Sequence, residues 1–223
     1  MEPSGNRLEG FAAGDSAGQV NSALCSSIKG SESPLVSFSE EDRVLPTEQE
    51  SIFPNCHFTH RIIYIGGKTR LQLLEDLKGK GVELNEAADT LLSSDIFTTS
   101  EICRPFVTVE LCVRNIGYSH GATIMEIYDK ATSLGLILPP VELGPHLRLQ
   151  YLDQPEGFWG QPTTEHRAPP GSITIALAQL LMPDEFPKGF YLRRIKGTLW
   201  LRGYRSGLEH IWDPDDHFVF GKP

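Results

Sequence analysis

The chain has 223 residues, enough for one domain or two small ones, and 39% of them are hydrophobic, enough to bury a core. Residues 1–52 carry three basic against nine acidic side chains of a chain with net charge −9, so the remainder is nearly neutral and indicates no partner by its charge. No stretch approaches the about 20 apolar residues of a membrane-spanning helix, and no secretory signal is present. The four cysteines form no CxxC pair, which favours free thiols in a reducing compartment. A cytoplasmic protein without membrane contact is predicted, of unknown oligomeric state.

The N-terminal residues 1–52 are rich in Ser, Gly, Glu and Ala, and their few apolar side chains follow no period of 2 or 3.6 residues. Such a segment cannot bury enough apolar area to offset the ordering entropy of about 1–2 kcal/mol per residue. We therefore expect a disordered acidic tail.

Residues 58–98 combine a strand with two helices. Arg61–Ile65 is strand-like, and a glycine pair then turns the chain into a helix that Thr69 and Gln72 cap reciprocally. After a short extended link, Asn85 caps a second helix. The segment is predicted to be a strand followed by a helix–link–helix unit.

Residues 105–223 read as an antiparallel α+β domain. Apolar and polar side chains alternate from Val107 to Val113, as in a half-buried strand, and Thr123 with Glu126 caps the helix that follows. Further strands are predicted at His146–Leu152, Ser172–Ala178, Phe190–Ile195, Thr198–Tyr204 and Phe218–Phe220. The fold class is α+β, a mostly antiparallel sheet with one covering helix.

Four runs in the second half of the chain carry a resemblance. They are LRLQYLDQPEG at 147–157, GFYLRRI at 189–195, LWLRGY at 199–204 and WDPDDHFVF at 212–220. With these runs the chain resembles a group of small uncharacterised bacterial proteins. The resemblance extends from Tyr64 to Pro223, which favours one evolutionary unit, and it implies no activity.

Familiar catalytic and metal motifs are incomplete. The turn Gly66–Thr69 lacks the earlier glycine of a phosphate-binding loop, because Ile62 occupies that position. The cysteines and nearby histidines do not follow zinc-finger spacing, and Asp213–Asp216, between His210 and His217, is typical of a turn rather than of a calcium loop. No cofactor and no metal are predicted.

The most informative segment is a predicted hairpin with Lys196-Gly197 as its two-residue turn. This register pairs Leu192 with Leu201 and places alternate side chains on opposite faces. One face is apolar core, and the other combines aromatic with basic side chains: Tyr191, Arg193, Trp200, Arg202 and Tyr204. An exposed face of this kind would stack on bases and contact phosphates, whereas a covered one would hold internal cation–π pairs. The first hypothesis is a non-enzymatic binding or regulatory protein that contacts nucleic acid or a protein partner through this face.

The second hypothesis is a small enzyme that acts on a polar or phosphorylated substrate. Its residues lie on or beside the predicted strand 146–152, where a polar row alternates with apolar side chains. The candidates are Glu142, His146, Arg148, Tyr151 and Asp153. Acid–base work would fall to His146 or a carboxylate, and Arg148 would hold an anion.

Overall fold

The computed structural model describes residues 52–157, 168–178, 183 and 185–223. The predicted acidic tail, residues 1–52, lies outside these ranges except for Ile52. Within the described ranges no helix is long and apolar enough to cross a membrane.

A seven-stranded sheet organises the described chain, in the order β1-β3-β9-β5-β6-β7-β2. Neighbouring strands are antiparallel except for β5 with β9 and β2 with β7, which run parallel. Two further strands, β4 and β8, pair separately. In chain order the strands are β1 Thr59–Ile65, β2 Glu83–Leu84, β3 Arg104–Cys112, β4 Ala122–Thr123, β5 Ile173–Ile175, β6 Gly189–Ile195, β7 Thr198–Tyr204, β8 Ile211–Trp212 and β9 His217–Lys222. The predicted α+β class with a mostly antiparallel sheet is confirmed, and the segments 58–98 and 105–223 contribute strands to the same sheet.

Helices pack on both faces of this sheet. Helices α1 Arg70–Gly79, α2 Glu86–Ser93 and α4 Leu143–Gln150 share one apolar core with the sheet. Helix α3 Ile124–Ser133 shares a second core with the opposite face, where Val109, Leu111 and Phe218 point. The single covering helix of the prediction is therefore not confirmed.

The predicted helix caps are present. Thr69 with Gln72, and Thr123 with Glu126, form capping boxes at the starts of α1 and α3. Asn85 caps α2 by accepting from the Ala88 amide.

The β6–β7 hairpin has the predicted register, with Leu192 opposite Leu201 and Arg193 opposite Trp200. Lys196 and Gly197 both have positive φ, 51° and 76°, which is the backbone of a type I′ turn. Phe190, Leu192 and Leu201 are completely buried, so the apolar face is core as expected.

The predicted strand His146–Leu152 is wrong, because residues 143–150 form helix α4. Pro145 lies in the first turn of α4, where a backbone amide has no partner to lose. Leu143 and Leu147, four residues apart, both face the core, and this spacing belongs to a helix. The alternation of Leu147, Leu149 and Tyr151 imitated a strand because the helix ends just before Tyr151.

Candidate functional site

Three side chains converge where β1, β3 and β9 lie side by side. One oxygen of Glu110 is 2.9 Å from Nδ1 of His217, and the other accepts from Arg61 at 2.6 Å. The Arg61 guanidinium lies over the Tyr151 ring, 4.2 Å from its centroid. Glu110 therefore restricts both His217 and Arg61, and the Tyr151 ring further restricts Arg61.

The protonation of this cluster follows from its contacts. Burial acts to raise the pKa of Glu110, but the hydrogen bonds from His217 and Arg61 outweigh it and lower that pKa below its ordinary value. The hydrogen bond to Glu110 raises the pKa of His217, with burial opposing. The side chain of Glu110 is 10% exposed and that of His217 is 48% exposed, so the imidazole is the member of the pair that reaches solvent.

A cavity of about 710 Å³ opens beside Glu110 and His217. Its other walls come from Tyr151 to Glu156, from the segment 168–173 and from the turn before β9. In that turn the Asp213 amide donates to Asp216 at 2.9 Å, and Asp215 pairs with Arg114 at 2.5 Å. The lining is acidic, with the carboxylates of Glu110, Glu156, Asp213, Asp215 and Asp216.

Arg148 supports one wall of the cavity through hydrogen bonds to two lining residues, Tyr151 and Gln154. Its side chain is completely buried, and its guanidinium donates to the Gln154 side-chain oxygen at 2.5 Å and to the Tyr151 carbonyl. Burial, the largest influence, lowers the pKa of Arg148 to about 10, which leaves the group charged at neutral pH. Gln154 donates in turn to the carbonyls of Gly171 and Leu192, at 3.1 and 3.3 Å. Arg148 thereby fixes the Tyr151 and Gln154 positions without lining the cavity.

The five residues of the enzyme hypothesis do not form one cluster, because Glu142 lies beside His146 and Arg148 lies beside Tyr151. Glu142 accepts from the amide and hydroxyl of Ser100, at 2.9 and 2.7 Å, and ties the linker before β3 to α4. His146 accepts from the Gly66 amide at 3.1 Å, and its Nε2 lies 4.0 Å from the Glu142 carboxylate. Tyr151 lines the cavity described above, and Asp153 is exposed.

The hairpin residues of the binding hypothesis do share one face. The Arg202 guanidinium lies 5.2 Å from the Trp200 ring centroid and 6.0 Å from that of Tyr191. Arg193 is buried, whereas Tyr191, Trp200, Arg202 and Tyr204 are half-buried. Tyr204 also meets Trp212 edge to face at 5.6 Å. The face thus combines internal cation–π packing with partial exposure.

The sequence does not indicate the contact of Glu110 with His217, and it places His217 only beside a predicted turn. The polar position of Glu110 in the alternating strand was visible, but nothing local indicates that β9 brings His217 to it. No three His, Cys, Asp or Glu side chains of the described residues converge as metal ligands.

Comparison of the chain with protein-family models, curated proteins and solved structures finds no match.

Proposed function

We propose that the protein is a small enzyme that binds a polar molecule in the 710 Å³ cavity and transfers a proton through His217. The observation that supports this proposal is the 2.9 Å contact between His217 Nδ1 and the partly buried Glu110 carboxylate at the cavity wall. A carboxylate on one ring nitrogen orients an imidazole and makes it more basic, and leaves the other nitrogen for a substrate.

Each residue of the cluster has a distinct role in this proposal. His217 is the general acid–base group, because its imidazole is the exposed member of the pair. Glu110 is a positioning residue that holds Nδ1. Arg61 keeps Glu110 ionised and in place, and its stacking on Tyr151 fixes the guanidinium. Tyr151 and Gln154 line the same cavity, and the Tyr151 hydroxyl can orient a substrate, whereas the buried Gln154 side chain is already bonded to Arg148, Gly171 and Leu192.

The acidic lining favours a particular substrate class. Five carboxylates face the cavity, and the arginines that pair with three of them, Arg61, Arg114 and Arg194, are not among its lining residues. Each of the three ion pairs offsets one carboxylate charge, and the carboxylates still outnumber these arginines by two, which favours cations over anions. Carboxylates also accept hydrogen bonds from hydroxyl and ammonium groups. We infer a substrate that bears amino and hydroxyl groups, such as an amino sugar.

Binding to three sugars of one size tests the substrate class. Glucosamine, glucose and gluconate differ mainly in charge, and calorimetric titration should rank their affinities in that order. His217→Asn should weaken glucosamine binding, whereas His57→Asn, a change at an exposed histidine that does not line the cavity, should not. Equal, negligible affinity for all three sugars would remove the proposed substrate class.

Turnover tests the catalytic role. Mixtures of amino sugars and short polyamines are incubated with wild type, His217→Asn and His57→Asn and followed by proton NMR. New signals should form with wild type and His57→Asn and be absent with His217→Asn. If every signal stays unchanged with wild type while glucosamine binds, the cavity binds ligands without catalysis.

A second candidate function uses the hairpin face. The shared face of Trp200, Arg202 and Tyr191 supports contact with single-stranded nucleic acid, because half-exposed aromatic rings stack on bases. Fluorescence anisotropy with labelled RNA and DNA oligonucleotides should show binding that Trp200→Ala weakens about tenfold, the loss of one stacked base. Tyr64→Ala, at an exposed aromatic on β1, is the matched control. Equal binding by the Trp200 and Tyr64 variants would remove this candidate.

A further inference from the structure

A second polar cavity, of about 360 Å³, lies between the β1–α1 turn, α1 and α4. It shares no lining residue with the Glu110–His217 cavity, although Gln150 of one cavity and Tyr151 of the other are adjacent in the chain. The side chains that matter here are Lys68, Lys80, Cys103 and His146.

His146 presents a hydrogen-bond donor at this cavity. The side chain is 4% exposed, and its Nε2 accepts from the Gly66 amide, so the neutral ring carries its proton on Nδ1. Burial lowers the pKa of His146, which keeps the ring neutral at physiological pH. Among the described residues Nδ1 has no hydrogen-bond partner. A ligand with an oxygen acceptor would satisfy it.

The Gly66 turn makes this arrangement rigid. Gly66 has φ 81°, and a Cβ built there would lie 2.3 Å from the Ile102 carbonyl oxygen. Any side chain would therefore displace the turn, which fixes the direction of the amide toward His146. The backbone amide of Gly66 thus holds the His146 ring and sets the direction of its Nδ1 donor.

Two cations and a thiol share the cavity with this donor. Lys68 pairs with Asp76, which also lines the cavity and offsets its charge, whereas Lys80 makes no ion pair within the described chain. Cys103 is exposed and free. Two lysines against one aspartate leave one net positive charge beside the neutral N–H donor, which suits an anionic oxygen, and Cys103 lines the same cavity as a nucleophile for the molecule that carries it.

We propose that this cavity binds the carboxylate of a small anionic disulfide and that Cys103 exchanges with it. The Cys103 thiolate attacks one sulfur, the disulfide bond breaks, and a mixed disulfide forms while the second sulfur leaves as a thiolate. The thiol proton goes to water. Two electrons remain within the sulfur atoms, so no oxidant beyond the disulfide is consumed.

Reaction rates with a charged and an uncharged disulfide test this proposal on the full-length protein. The probes are 5,5′-dithiobis(2-nitrobenzoate), which is a dianion, and neutral 2,2′-dithiodipyridine. Modification of Cys103 alone is followed by peptide mass mapping, because other cysteines are present. We expect the rate with the dianion divided by the rate with the neutral disulfide to fall at least about threefold in Lys80→Gln and in Lys68→Gln, because electrostatic attraction of the dianion is lost.

Lys78→Gln is the matched control, because Lys78 is an exposed residue of α1 that does not line the cavity. It changes the net charge equally and should leave the ratio unchanged. Inorganic phosphate should slow modification by the dianion at constant ionic strength in wild type and have less effect in Lys80→Gln. The same ratio in all three variants and wild type, or an equal fall in Lys78→Gln, would overturn the proposal.

Discussion

Glu110 accepts a hydrogen bond on each of its carboxylate oxygens, from Arg61 and from His217. Its pKa is lowered, since these bonds outweigh the opposing effect of burial, and the pKa of His217 is raised chiefly by the bond to Glu110. The Glu110 contribution to stability is present above its unfolded pKa and is lost as pH falls through its folded pKa. The His217 contribution is present below its unfolded pKa and is lost as pH rises through its folded pKa.

We expect the stabilisation from this pair to be largest between about pH 4.3 and pH 6.5, the unfolded pKa values of Glu and His. Urea unfolding of wild type and His217→Gln across this range and beyond it should show a difference in unfolding free energy that narrows on both sides. His57→Gln, at an exposed histidine, should follow wild type throughout. A difference that does not vary with pH would show that the bond has no electrostatic component.

Gln154 is the side-chain acceptor for the buried Arg148 guanidinium, with 2.5 Å between the two groups. Gln154→Leu should lower the free energy of unfolding by about 2–3 kcal/mol, because a charged hydrogen bond is lost inside the protein. The double variant Arg148→Met, Gln154→Leu should recover part of this loss, since no buried charge then remains. Chemical denaturation of Arg148→Met, Gln154→Leu and the double variant measures both effects, and additive losses would contradict the coupling.

At the scale of elements, local features were predictable from sequence and distant ones were not. The cap on Ala88 by Asn85 follows from residues three apart, and the same side chain also bonds both backbone groups of Gly203, 118 residues away. A Cβ on Gly203 would lie 2.5 Å from the Ala87 carbonyl carbon, so this glycine permits α2 to touch β7. No local pattern contains such a contact.

The same difference between local and distant contacts explains why the hairpin was predictable from sequence and the candidate site was not. A two-residue turn fixes register by itself, so β6 and β7 were paired correctly. Glu110 and His217 are 107 residues apart, and only the order of strands in the sheet joins them. Residues 146–152 were misread because a short helix with Leu147 and Leu149 at its end offers the same alternation as a strand.

The hairpin register carries a direct test. Leu201→Ala should cost about 2–5 kcal/mol of stability, because the side chain is completely buried and its removal leaves a cavity. Trp200→Ala, on the half-buried opposite face, should cost less, although the stacking with Arg202 is lost. Urea denaturation compares the two variants. A greater loss for Trp200→Ala would mean that the aromatic face is the more tightly packed, and the second candidate function would lose its surface.

At the scale of the whole molecule, the two apolar cores lie on opposite faces of one sheet. The core shared with α1, α2 and α4 draws on residues from both ends of the described chain, from Ile63 to Val219. The candidate site depends on the same pairing of distant strands, since β1 supplies Arg61, β3 supplies Glu110 and β9 supplies His217. Stability and the site are therefore coupled through the strand order.

This coupling predicts that residues 105–223 do not fold alone. Without residues 58–98 the fold loses β1, β2, α1 and α2, and with them seven buried aliphatic side chains of the first core: Ile63, Ile65, Leu73, Leu77, Val82, Leu91 and Leu92. Burial of each contributes about 1.5–3 kcal/mol, and the sum rivals the 5–15 kcal/mol by which typical domains are stable. Circular dichroism during urea titration should show a cooperative transition for residues 52–223 and none for 105–223, and heteronuclear NMR spectra should be dispersed only for the longer fragment. A cooperative, dispersed 105–223 fragment would instead support the division into two segments near residue 100, because its core would then be sufficient without the strand and helices that precede it.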